Sequence, residues 1–307
     1  MQPEDYEEKG YGRYVYDSHG NRDLRYKAID PATDAFQCTC GKPHCTRARL
    51  HPFRDHVAGL YRTLSRFSQS FSGRYDHEAW GRVLLGLQLA ASIDDVYADT
   101  GYVEDEMVFA LCETKIDYEN ARSEVASKYV AAASVFNFIW NAYEAAVSIT
   151  EPNNLRKLLN DGRLGERGRR LFEGHPEIEK NFLGIQDLTR LAKFYCARGK
   201  LFDERLEKLS TRFPVDNFVS AAELCREFRN FIFHGEDEVP EHEDWCHPRG
   251  TSTARIHRFY AISRLLLYLI QALAWLSAPE AADPDDENEQ ITKLDLQSVQ
   301  FASSEAE

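Results

Sequence analysis

Two short stretches carry residue types whose spacing could do chemistry. The first is CREFRNFIFHGEDE, residues 225–238. On a helix, Asn230 and His234 stand at i and i+4 and share a face, and the long side chain of Arg229 reaches the same patch. Leu224, Phe228, Phe231 and Ile232 form the opposite, apolar stripe. Gly235 suits the left-handed residue after a helix end, which puts His234 in the last turn, where the dipole and free carbonyls favour imidazolium. The same pattern is also ordinary helix termination, so a capping His234 stands beside a working one. The second stretch, CTCGKPHC, sets Cys38, Cys40, His44 and Cys45 within eight residues. Thiolates and imidazole are zinc ligands, with Cys246, His247 or His51 available to complete a set, and such a zinc would staple the N-terminal region. The spacing fits no standard finger, and free reduced cysteines in a loop are the alternative.

The elements that must position these residues are mostly helical. Residues 12–29 read as two short strands about a Ser-His-Gly-Asn turn, a β-hairpin, and 36–45 as a Cys-rich loop. Apolar residues at helical spacing then predict helices over 52–71, 76–98 (with Asp76 as N-cap), 104–115, 118–149, 181–209, 216–235 and 253–277. Residues 150–180 are broken by Pro, Gly and charge. The apolar run 262–276 is short for a membrane span and reads as a buried helix. Expected, then, is a mainly α chain. An N-terminal accessory region covers 1–115, a bundle of four long helices covers 116–278, and an acidic, mostly disordered tail covers 279–307.

The net charge of −13 argues against nucleic acid only until it is mapped. The tail holds nine acids and one lysine, and the loop 235–244 six acids, which leaves the rest of the chain at +1. Arg47, Arg49, Arg54, Arg62 and Arg66, with the basic stretch 156–170, could line an RNA path, or could be a solvated face. The start MQPEDYEEKG is no secretory or transit signal, and seven cysteines are no disulfide framework, so a cytoplasmic protein is expected.

Arg229-Asn230-Phe231-Ile232-Phe233-His234 resembles the signature of the HEPN superfamily (higher eukaryotes and prokaryotes nucleotide-binding domain). As a bare pattern it is weak, since Arg13/His19, Arg49/His56, Arg169/His175 and Arg170/His175 match it too. Only at 229–234 does Asn follow the Arg, inside an apolar helix that ends on the His. The helix order, and FNFIWNAYEAAV at 136–147, are similar to HEPN families of microbial defence and toxin proteins; the resemblance covers about 118–278. It implies metal-independent endonuclease cleavage of single-stranded RNA at a composite site in a homodimer. Under it His234 moves a proton, Arg229 holds the scissile phosphate and Asn230 orients either. Glu144, in the aromatic stretch, is a further candidate to pair with Arg229 or orient His234, with a solvated Glu on the outer face as the alternative. No cofactor is implied for the chemistry. A phage-defence or toxin effector with an antitoxin or defence-system partner is the expected setting. A non-catalytic HEPN domain for nucleotide binding or assembly is the alternative, and a zinc-stapled helical scaffold a third. In HEPN toxins controlled by a nucleotidyltransferase, a modified Tyr lies two residues after the His; Glu236 stands there, which does not support that control.

Overall fold

A computed structural model describes residues 50–70, 77–93, 96–102, 113–150, 164–241, 251–278 and 292–301. The expected hairpin, the Cys-rich loop and residues 104–112 of the helix expected over 104–115 lie outside the described residues, while 113–115 begin the long helix that follows. Those described are mainly α-helical and contain no strand; Leu50 and Phe301 form an isolated antiparallel bridge.

In chain order the helices are α1 (Phe53–Ser70), α2 (His77–Ser92), α3 (Glu113–Thr150), α4 (Leu164–Gly174), α5 (Ile178–Asn181), α6 (Ile185–Arg198), α7 (Asp203–Arg212), α8 (Phe218–Phe233), α9 (Thr251–Ser277) and α10 (Lys293–Ser298). The centre is α9. It is enclosed around its whole circumference, and from Ile256 to Trp275 every residue is buried. Ala254–Ser277 has the length and hydropathy of a membrane-crossing helix, and nearly all of it is enclosed by protein. Around it pack α3, α6, α8, α1 and α10. An aromatic cluster fills the space between α3, α8 and α9: Phe136 meets Phe228 at 5.3 Å between ring centroids, and Phe228 meets Phe259 at 5.2 Å. Both pairs are edge-on, the arrangement that ring quadrupoles favour.

Position 115 is not a break in the core. Leu50, Phe53, Val57, Trp80, Val83 and Leu87 belong to the same buried cluster as the residues of α3 and α9. The contact of α2 with α3 is as extensive as that of α9 with α3. A Cβ on Gly86 would stand 2.6 Å from the Phe138 carbonyl oxygen, so the absence of a side chain there permits that approach. The first two helices are therefore part of the body on which the rest is built.

Two readings of the helical elements differ in the structure. The single helix over 181–209 is two, α6 and α7. Between them Lys200 (φ 56°) and Leu201 (φ 61°) take left-handed backbone, stabilised from α9, where Arg255 Nε donates to the Gly199 carbonyl at 3.1 Å and Arg258 Nη1 to that of Lys200 at 3.3 Å. The broken stretch 150–180 contains a regular helix, α4, whose buried face includes Leu171 and Phe172. Within the tail expected to be mostly disordered, residues 292–301 are described and include α10. Leu296 is fully buried, Phe301 nearly so, and Gln271 Nε2 of α9 donates to the Leu296 carbonyl at 2.9 Å and to Gln300 Oε1 at 2.7 Å. That network continues inward. The ring of His56 is 2.7 Å from Gln271 Oε1 through Nε2, and Arg264 Nη1 is 3.2 Å from Nδ1. Arg264 can only donate and Gln271 Oε1 can only accept, so the ring is neutral with its proton on Nε2.

Candidate functional site at the end of α8

The helix that carries the candidate residues begins with a reciprocal cap. The Ser220 amide donates to Asn217 Oδ1, and the Asn217 amide is bonded to Ser220 Oγ, both at 2.9 Å. One face of α8 buries Phe218, Ala221, Ala222, Leu224, Cys225, Phe228 and Phe231. The other carries Arg226, Glu227, Asn230 and His234. At the C-terminus Gly235 takes φ +69°, its amide donates to the Ile232 carbonyl at 3.1 Å, and the Glu236 amide donates to that of Phe231 at 3.2 Å. These paired bonds make a Schellman motif. The expected glycine stop is thus present, and His234 is the cap residue, its amide donating to the Asn230 carbonyl at 2.9 Å.

Arg229, Asn230 and His234 stand on the last turns of α8, the first two partly buried and His234 exposed. The Arg229 guanidinium is 4.3 Å from the centroid of the Phe233 ring, one turn on, in cation–π contact. Its Nη1 is 3.5 Å from Asn230 Oδ1, and its Nε is buried with no hydrogen-bond partner among the described residues. His234 is exposed, and its ring has no hydrogen-bond partner among the described residues. Neighbouring cations differ: Arg226 holds Glu223, Arg205 holds Glu227 and Glu236, and Arg258 holds Asp237. Arg229 pairs with no carboxylate among the described residues.

Glu144 is elsewhere. It lies on α3 beside a groove shared with Arg82, Leu85 and Leu89 of α2. Tyr143, the residue before it, is buried near Cys225 and Glu223 of α8, and burial above all pushes its phenol well up. That level is about 15 Å from His234 along the helix, at 1.5 Å per residue. Within one protomer the structure does not bring Glu144 to Arg229 or His234.

The acidic run after Gly235 is bound into the fold. Asp237, nearly enclosed, pairs with the fully buried Arg258 and accepts from Tyr129 Oη of α3 at 2.9 Å. Burial, followed by the adjacent Asp237 carboxylate, pushes the Tyr129 phenol well above its ordinary range, which keeps it a donor. Glu236 takes two bonds from Arg205 of α7, one of them at 3.0 Å from Nε, and these hold its carboxyl below the usual carboxylate range. Glu238 lies 3.8 Å from Arg255. Sequence reading gave none of these partners. The available signal was the pair Arg255 and Arg258 at the start of an otherwise apolar helix, since a cation there needs an acid from outside its own helix.

Between α7 and α8 runs a cleft of about 390 Å³. Arg205, Lys208 and Arg212 line one wall, Glu223 and Glu227 the other, and Glu236 the end nearest His234. Glu223 is buried and accepts from Arg226 Nη2 at 2.8 Å, with Arg169 Nε and Arg212 Nη1 each 3.8 Å away.

Of the other basic candidates, Arg54 donates from Nε to the Ala91 carbonyl at 3.0 Å, which ties α1 to the end of α2. Arg169 is committed to Glu173 and Glu223. Arg62 and Arg66 are on α1, while Arg47 and Arg49 lie outside the described residues. So do Cys38, Cys40, His44, Cys45, Cys246 and His247. Of the suggested zinc ligands only His51 is described. It is half-buried, and its imidazole is held below its ordinary range chiefly by that burial. Among the described residues no cluster of three or more His, Cys, Asp or Glu has metal-site geometry. No protein-family model, curated protein or solved structure matches the chain.

Proposed function

We propose that the protein is a metal-independent endoribonuclease for single-stranded RNA, of HEPN type, with Arg229, Asn230 and His234 as its working residues. The observation that supports this best is the uncommitted state of the patch. In a neighbourhood where cations are matched to carboxylates, Arg229 has none among the described residues, and the exposed His234 ring beside it is unbonded. An arginine packed against the Phe233 ring and paired with no carboxylate among the described residues can take an incoming anion, and a phosphodiester offers the two oxygens that fit the fork.

The chemistry follows from those groups. A neutral imidazole takes the proton of the RNA 2′-OH as its oxygen attacks the adjacent phosphorus. The P–O5′ bond breaks, and an imidazolium returns a proton to the departing 5′ oxygen. The products are a 2′,3′-cyclic phosphate and a 5′-hydroxyl. Arg229 offsets the charge that accumulates on the non-bridging oxygens, and Asn230 orients phosphate or imidazole from the same helix face. One protomer offers one such imidazole, so acid and base together require His234 of two copies in a homodimer. An effector of phage defence or a toxin is the setting this activity suits.

The test is incubation with total RNA followed by mapping of the cut ends. Wild type should leave cyclic phosphate ends with or without EDTA. His234→Ala and Arg229→Ala should lose about 10²-fold or more, the usual contribution of a positioned acid–base or oxyanion group, with helicity and dimerisation unchanged. Cleavage that persists in both variants overturns the assignment. A wild type that binds nucleotide phosphate at Arg229 yet never cuts RNA is a non-catalytic HEPN domain.

A further inference from the structure

The α7–α8 cleft and the patch at His234 are continuous along one helix face. On α8, Glu223 and Glu227 line the cleft, and Asn230 and His234 follow Glu227 at i+3 and i+7, on the same side. On α7, Arg205, Lys208 and Arg212 stand at i, i+3 and i+7 and form the facing wall. Arg205 is the cation at the His234 end. Its Nη1 donates to Glu227 at 2.9 Å, and its Nε and Nη2 both donate to Glu236. Glu227 precedes His234 by two turns, about 10 Å of helix, and Glu236 follows it by two residues. The guanidinium therefore lies between the two ends of the Asn230–His234 stripe.

Its two acids are not equivalent. Glu227 is on the rigid helix, shares Arg226, and keeps Arg205 aimed along the cleft. Glu236 lies beyond the left-handed Gly235, is 41% exposed, and its carboxylate has no other hydrogen bond or ion pair among the described residues, the nearby His234 acting on it only through space. An exposed pair of this kind contributes little to stability, and its two oxygens occupy the fork as those of a phosphodiester would.

We propose that Arg205 binds a backbone phosphate of the single-stranded RNA next to the scissile one, and that the Glu236 carboxylate holds this position until the strand displaces it. The proposal rests on the ribonuclease reading above and adds to it a second phosphate site and the carboxylate that guards it. Glu236 then acts as a built-in competitor: it keeps Arg205 ordered in the free protein and discriminates against ligands too weak to displace it.

The experiment uses the full chain carrying His234→Ala, which leaves RNA uncut, and measures binding of a fluorescent single-stranded RNA by anisotropy over a range of salt. Adding Glu236→Gln removes the competing charge and should tighten binding, by about fivefold for a pair of this exposure. Adding Arg205→Gln should weaken it about tenfold and reduce the slope of log K against log salt by about 0.7, the loss of one single-strand phosphate contact. Arg205→Lys keeps the charge and should restore the slope but not the full affinity. A slope unchanged by Arg205→Gln in protein that melts normally, or Glu236→Gln protein that binds no tighter, overturns the proposal. If the wild type cuts RNA while these binding results fail, only the Arg205 assignment falls; if the wild type neither binds nor cuts RNA, both readings fall.

Discussion

The segment that carries His234 out of α8 is fixed by one buried ion pair, and removing its acid is the sharpest test of how the site is held. The Asp237 carboxylate is 2% exposed and the Arg258 side chain not at all. Arg258 has three other contacts: the Lys200 carbonyl at 3.3 Å and the rings of Phe228 and Phe231 at 5.7 and 5.2 Å. Asp237→Ala leaves a guanidinium in that enclosure with one carbonyl and two aromatic faces, and it orphans the Tyr129 hydroxyl. Removing one partner of such a pair costs about 3–5 kcal/mol, because the remaining charge stays desolvated. At roughly 2–4 °C per kcal/mol for a chain of this size, the midpoint of thermal unfolding should fall by about 10 °C. The magnitude is read from urea unfolding and the mechanism from a double-mutant cycle. Arg258→Met with Asp237→Ala removes both charges, so the double variant should recover much of the loss and show a coupling of at least about 1 kcal/mol. An Asp237→Ala protein destabilised by less than about 1 kcal/mol, or two substitutions that simply add, would refute the claim that this pair fastens the loop.

The remaining predictions use the same physics elsewhere. A Cβ on Gly235 meets nothing within 4 Å, so Gly235→Ala carries only the cost of left-handed backbone, about 1–2 kcal/mol in urea unfolding. Leu296→Ala should cost about 2–5 kcal/mol in the same assay, since a fully buried leucine is truncated; a neutral result would mean that α10 is not part of the core. For His56, burial first and Arg264 second hold the imidazole well below its ordinary value. The unfolded chain therefore takes up a proton near pH 6.5 while the folded one does not. Stability falls as pH drops below about 6.5, by up to about 1.4 kcal/mol per pH unit, and His56→Gln should lose that part of the slope in urea titrations at successive pH values.

What the sequence revealed was local, and what it hid was not. The stop at Gly235, the apolar stripe of Phe228 and Phe231 and the shared face of Asn230 and His234 depend on residues within two turns of each other, and spacing alone displays them. The break between α6 and α7 depends on Arg255 and Arg258, more than fifty residues away, which bind the carbonyls that the turn exposes. The tail is acidic enough to read as disordered, yet Leu296, Gln300 and Phe301 are sufficient to anchor 292–301 once Gln271 and the Leu50 backbone are in place. Glu144 is a related case. Its helix face could be read, but not which helix that face meets, and it meets α2. The pairing of Arg205 with Glu236 is invisible for the same cause.

The buried polar groups of α9 give these long-range choices a common origin. Arg255 and Arg258 take the carbonyls of the α6–α7 turn, Arg258 also takes Asp237, Arg264 takes the His51 carbonyl at 2.9 Å, and Gln271 takes the Leu296 carbonyl. In each case a side chain from this buried helix satisfies a segment that packs against it, and all but α10 are irregular there. Such groups add little net stability over well-packed apolar side chains. They do penalise every arrangement in which a different segment, or none, lies against them. One helix therefore specifies where three irregular pieces of chain and the short helix α10 dock. At the end of α8 this leaves an asymmetric frame: Asp237 is locked inward to Arg258 and Tyr129, while one residue earlier Glu236 faces out to Arg205. The backbone that presents His234 is held, and the carboxylate that covers the neighbouring cation can leave without disturbing it.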